Sequence, residues 1–172
     1  MTTKDLIKTE YNEYYSRYID LVSKDIELVN GFREDSNMVL EFFESITNEK
    51  LDYSYASGKW TIKEVFQHLI DTERIFQYRC FRISRHDKTS IAGFEQDDYI
   101  NPSQAQNKSI EALVEEFKAV RQSFIVLLNS LKNEDLKFIG NANGSGLSAR
   151  AAAFIILGHS IWHIKVIKER YL

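Results

Sequence analysis

Long runs of apolar residues at helical spacing, with almost nothing to interrupt them, constrain this chain more than any other feature. One proline, Pro102, and seven glycines are spread over 172 residues, too few breakers for many short strands and tight turns. Between 20 and 49 the apolar positions Leu21, Val22, Leu28, Val29, Phe32, Val39, Leu40, Phe42, Phe43 and Ile46 recur at roughly helical intervals. Asn30-Gly31 reads as a break between a short lead helix and a first bundle helix. After the polar and aromatic linker LDYSYASGKW, Thr61 and Glu64 form a capping box that starts a second helix over about 62–84. Its stripe is Ile62, Val65, Phe66, Leu69, Phe76, Cys80 and Ile83, with His68 on the edge. A third helix is predicted over about 109–131 and a fourth over about 149–171, the latter capped by Ser148.

Two connections separate these helices. HDKTSIAGFEQDDYINPSQAQ, from about 86 to 106, is an ordered crossover loop of a length that often carries function. KFIGNANGSGLS reads as a second loop, rich in turn residues. The pattern is all-α: a four-helix bundle with a long crossover between helices two and three, whose cofactor sites belong between facing helices. Residues 1–172 are read as one domain, with 1–30 as an N-terminal extension and lead helix.

Charge and cysteine content narrow the function. A net charge of -3, from 25 acidic and 22 basic residues, offers no general attraction for nucleic acid or an anionic membrane. No signal-peptide core is visible, and no stretch approaches the ~20 apolar residues of a bilayer span, so a cytoplasmic setting is expected. The lone Cys80 permits neither an intramolecular disulfide nor a Cys-rich zinc site, so a metal would need His, Asp or Glu.

GHSIWH in the last helix places His159 and His163 one turn apart on one face, bracketed by Ile155, Ile156, Val166 and Ile167. Two imidazoles on an apolar face are either core histidines satisfied by neighbours or a metal clip, and a shared ion satisfies both at once. His68 is the available third ligand, or a boundary residue. His86, beside Asp87 and Lys88, reads as solvated. Asp97 and Asp98 in GFEQDDY and Arg79 on the His68 side of the second helix are candidates to support the chemistry by orienting a ligand or a bound water. The alternative for the two acids is a solvated loop carboxylate.

YSYASGKWTIKEVFQHLIDTERIFQYRCFRISRHDKTSIAGFEQDDY, followed by GHSIWHIKVIKERYL, resembles the DinB superfamily over roughly 52–172. The resemblance implies a four-helix bundle holding one divalent ion with a histidine of the second helix and an HxxxH pair of the fourth, which match His68, His159 and His163. Many relatives carry a histidine immediately before the last one, where this chain has Trp162. Characterised members resemble thiol-dependent enzymes, including bacillithiol S-transferases, so the resemblance implies a thiol S-transferase or a hydrolase. A non-catalytic metal-binding or stress-response bundle is the alternative. Zn, Ni or Fe(II) each suit three imidazoles. The partner expected is a low-molecular-weight thiol, not nucleic acid or a membrane, and a homodimer stays open.

Overall fold

The computed structural model describes all residues from 1 to 172. Four long helices form the bundle: α2 (Leu28–Glu44), α4 (Ile62–Ser84), α6 (Ile110–Asn129) and α8 (Ala149–Arg170). Short helices α1 (Ser16–Ile19), α3 (Asn48–Leu51), α5 (Asp97–Ser103) and α7 (Asn133–Leu136) sit in the connections. Around the bundle, α4 packs on α6 and α8, and α2 packs on the same two helices. Consecutive long helices α2 and α4 therefore face each other across the core, where the Phe43 and Phe66 rings stack at 3.9 Å.

Local signals set the helix starts. Thr61 Oγ1 accepts from the Glu64 amide, and the Glu64 carboxylate accepts from the Thr61 amide at 2.7 Å. Ser109 and Ser148 cap α6 and α8 in the same way.

Four sequence expectations change. Asn30-Gly31 lies inside α2, because a side chain at 31 would meet Leu157 Cδ1 at 2.8 Å, so here glycine permits close helix packing instead of a break. KFIGNANGSGLS folds as a hairpin, β1 (Ile139–Ala142) against β2 (Ser145–Ser148). Its two-residue turn is Asn143-Gly144, both left-handed, at φ 53° and 74°. The crossover loop joins β1 through a parallel bridge at Ile91, and part of it forms α5. Finally, α8 is long and apolar enough to cross a bilayer by length and composition, but 72% of its most apolar window is buried as the bundle's central helix.

The N-terminal segment is strapped to α8. Glu10, almost fully buried, accepts from Ser148 Oγ and Arg150 Nε, both at 2.7 Å, from Arg150 Nη2 and from the Ile7 amide. Further along, α1 crosses α8 so closely that a Cβ on Gly158 would lie 2.0 Å from the Tyr18 carbonyl oxygen. Backbone cannot yield as a side-chain tip can, so Gly158→Ala must displace α1. A stability loss of about 1–3 kcal/mol is expected from overpacking at that crossing. Denaturant unfolding would measure it, and a neutral Gly158→Ala would show that α1 does not hold this position.

Candidate metal centre

A layer of buried polar residues crosses the bundle interior between two apolar clusters. On α4, the residues up to Ile70 belong to one cluster and those from Phe76 onward to the other. On α8 the boundary falls between Leu157 and Ile164. The layer contains His68 and Thr72 from α4 and His159 and His163 from α8. Across the core it contains Glu73, Arg121 and Asp35, from α4, α6 and α2.

Helical spacing turns His159 and His163 to the same side of α8, and the adjacent α4 brings His68 to meet them. His159 Nε2 is 3.1 Å from His68 Nε2 and 3.0 Å from His163 Nε2. All three donor atoms lie within 4.8 Å of one another. Nitrogens bonded to one ion at about 2.0–2.1 Å stand roughly 2.9 Å apart at right angles and about 3.3 Å apart at the tetrahedral angle, and the two spacings about His159 fall in that interval.

Hydrogen bonding within the cluster cannot satisfy it. A proton on His159 Nε2 can serve one neighbour and leaves the other contact unserved, while a cation serves all three lone pairs. His68 Nδ1 lies 3.4 Å from Thr72 Oγ1, a partner for a proton on that nitrogen that leaves Nε2 free to ligate.

The imidazoles are 4%, 5% and 8% exposed for His68, His159 and His163. Burial pushes His68 down to about 4 and holds His159 and His163 well below the ordinary histidine range, so all three are neutral at physiological pH. Aromatic rings enclose them: Trp60 beside His68 at 4.8 Å, Trp162 beside His163 at 4.7 Å, and Tyr18 edge-on to His159 at 5.3 Å. Tyr18 reaches that place through the close crossing at Gly158.

His68 and His159 form part of the wall of a cavity of about 370 Å³. Its other walls come from the N-terminal segment, the crossover loop and the hairpin tip, through Tyr14, Tyr15, Glu95, Gln96 and Asn143. Arg79, expected near the site, lines the same cavity. Asp97 and Asp98 do not. They are exposed on the first turn of α5, where carboxylates favour a helix N-terminus, and Glu95 is the acid of that loop that reaches the cavity. The acidic run GFEQDDY is the available signal, but only the path of the chain decides which acid reaches the cavity. His86 stands apart, with Nε2 2.9 Å from Asp135 Oδ1 and its ring stacked on Phe138.

A family model described as the DinB superfamily matches residues 32–167. A protein of Oceanobacillus iheyensis, named for a proposed metal-dependent hydrolase activity, is 23% identical over 137 residues, covering 76% of this chain and 78% of its own length. Among solved structures, YfiT from Bacillus subtilis superposes with a TM-score of 0.74 at 16% identity, covering 90% of this chain and 95% of YfiT. To YfiT are attributed a metal-dependent hydrolase activity and an unusual four-helix bundle topology. At that identity the likeness is one of fold.

Two outcomes follow from the cluster. Protein purified without added metal should hold one divalent ion per chain by elemental analysis, and His68→Ala, His159→Ala and His163→Ala should each reduce that content severely. Equal content in all four proteins would remove the assignment. The metal-free protein should also lose stability as pH falls. Unfolded imidazoles titrate near 6.5, and the folded ones are held lower, so the unfolded chain binds more protons in between. Stability is complete above about pH 6.5 and falls on acidification toward pH 4, with a slope on the order of 1 kcal/mol per pH unit for each imidazole. Flat denaturation midpoints from pH 7 to pH 5 would show that the three are not buried neutral.

Proposed function

The chain belongs to the DinB superfamily, and from that premise and its three converging imidazoles we propose a metal-dependent enzyme acting on small molecules that enter the cavity, as a hydrolase or a thiol S-transferase. The observation that carries this reading is the placement of His68 and His159 in the cavity wall. A purely structural ion is closed off by its ligands, whereas three protein ligands, two of them in a cavity wall, leave a side open. A divalent ion held there would supply Lewis acidity and lower the pKa of a water or thiol reaching its open side. Zn, Ni or Fe(II) fit a set of three nitrogens. Hydrolysis agrees with the activity proposed for the Oceanobacillus relative, and S-transfer to a low-molecular-weight thiol is the finer alternative on the same site.

The chain's own residues do the rest. Burial keeps the imidazoles neutral, and Thr72 holds the His68 ring so that Nε2 faces its partners. Trp60 and Trp162 keep bulk water from the cluster on the sides away from the cavity, and Tyr18 covers His159 within the cavity wall. Glu95 is the carboxylate in the cavity wall, and we assign it the proton released when a nucleophile is activated.

The test compares metal-loaded and metal-free protein on a panel of esters and amides, with and without an added thiol and an alkylating electrophile. A rate that depends on metal, falls at least 100-fold in His159→Ala and falls less in Glu95→Gln while metal stays bound is expected. Dependence on thiol selects the transferase, and its absence selects the hydrolase. Cobalt(II) substitution gives a separate readout, because thiol coordination would change its visible spectrum. No metal-dependent rate on any substrate would leave a non-catalytic metal-binding bundle.

A further inference from the structure

Two arginines of this bundle are almost completely buried, and they are provided for very differently. Arg121, 1% exposed, donates from Nε and Nη2 to the Glu73 carboxylate, both at 2.8 Å. It also donates from Nη1 to Asp35 Oδ2 at 2.7 Å and to the Phe32 carbonyl at 3.1 Å. Arg79, 2% exposed, forms no ion pair, and its buried Nε has no hydrogen-bond partner. Its guanidinium lies between the rings of Phe76 and Phe94, 4.8 and 5.7 Å from their centroids. Aromatic faces attract a cation but accept none of its N–H groups in the plane of the fork. A guanidinium keeps its charge in a protein, so burial without an anion is a standing cost.

That cost is located in the cavity. Arg79 lines the space that His68 and His159 open into. On α4, Arg79 follows His68 by three turns, about 16 Å of helical rise, on nearly the same face, and the backward tilt of helical side chains shortens the gap. The cavity thus has an imidazole end and a cationic end. Its one carboxylate, Glu95, forms no salt bridge with Arg79 and is itself exposed.

We infer that Arg79 is the anchor for a carboxylate on the molecule that occupies this cavity, so that the ligand is an extended, metabolite-sized carboxylic acid whose far end reaches the imidazoles. The planar fork takes a carboxylate through two parallel hydrogen bonds, which would give the buried N–H groups the acceptors that the protein withholds. As a statement of substrate class, this rests on the reading of the cavity as a reaction site. As a statement of binding, it does not.

Calorimetric titration of the full chain with hexanoate and with hexanamide, which differ only in the charged group, tests it. Wild type should bind hexanoate at least tenfold more tightly. The preference should persist in His159→Ala, which separates this inference from the metal reading, and should fall below twofold in Arg79→Met and to an intermediate value in Arg79→Lys. Thermal unfolding adds a readout that a structural arginine would not give: Arg79→Met should melt no lower than wild type, and hexanoate should raise the midpoint of wild type but not that of Arg79→Met. Equal affinity for acid and amide in wild type would overturn the inference whether or not any variant folds. Retention of the preference in Arg79→Met would also overturn it, and tighter binding of hexyl phosphate than of hexanoate would overturn the carboxylate assignment.

Discussion

The structure depends on the cost of carrying a polar layer through the middle of an apolar bundle. Above and below it the core is ordinary, with phenylalanine, leucine, isoleucine and, along α8, alanine. Within it stand three imidazoles, a guanidinium, two carboxylates and the hydroxyls of Thr72 and Ser160. Such groups are tolerated in a core only where each finds a partner. On one side the protein supplies the partners itself, through Arg121 between Glu73 and Asp35. Burial still raises Asp35 to about 6 against the pull of Arg121, a sign of how dry this level of the bundle is. On the other side the imidazoles have only Thr72 and one another, and the missing partner is a cation.

The cavity comes from outside the four helices. A bare bundle would leave the His68–His159 face open to solvent. Here the N-terminal segment crosses α8 at Gly158 and is pinned by Glu10 to Ser148 and Arg150. The hairpin and the crossover loop, joined at Ile91, close the opposite wall, and the left-handed Asn143 lies at its rim beside Gly93, where any side chain would collide with it. The bundle positions the imidazoles, and these three connections decide what can reach them. Selectivity among ligands can then change in loops that the bundle core does not constrain.

Much of this was legible in the sequence, and the failures have physical causes. Thr61, Glu64, Ser109 and Ser148 mark helix starts because capping acts between residues three apart. The HxxxH spacing is likewise local, so His159 and His163 could be paired on paper. Gly31 and Gly158 carry no local signal, since each glycine is required by a distant residue, Leu157 in one case and Tyr18 in the other. The Asn143-Gly144 hairpin does carry a local signal, because that dipeptide favours the left-handed two-residue turn that the general turn composition of the segment hides. For Asp97, Asp98 and Glu95 composition is silent, because neighbours of one charge differ only in where the chain turns. Glu10 and Arg150 are far apart in sequence and look like any surface charges until the strap is folded.

Arg79 and Arg121 show how structure separates a functional cost from a structural one. Both come from long helices, both are buried, and both touch two phenylalanine rings. Sequence offers no distinction between them. Arg121 is surrounded by acceptors, and removing it would strand the buried Glu73 and Asp35 carboxylates, so it belongs to the fold. Arg79 is already stranded, and its position in the wall of the same space as His68 and His159 gives that strain a purpose. A protein that needed only a stable bundle could place an apolar residue at 79. Retaining an unpaired cation at one end of a cavity and unsatisfied imidazoles at the other makes sense where the completing groups arrive from solution, an ion at the histidines and an anion at the arginine.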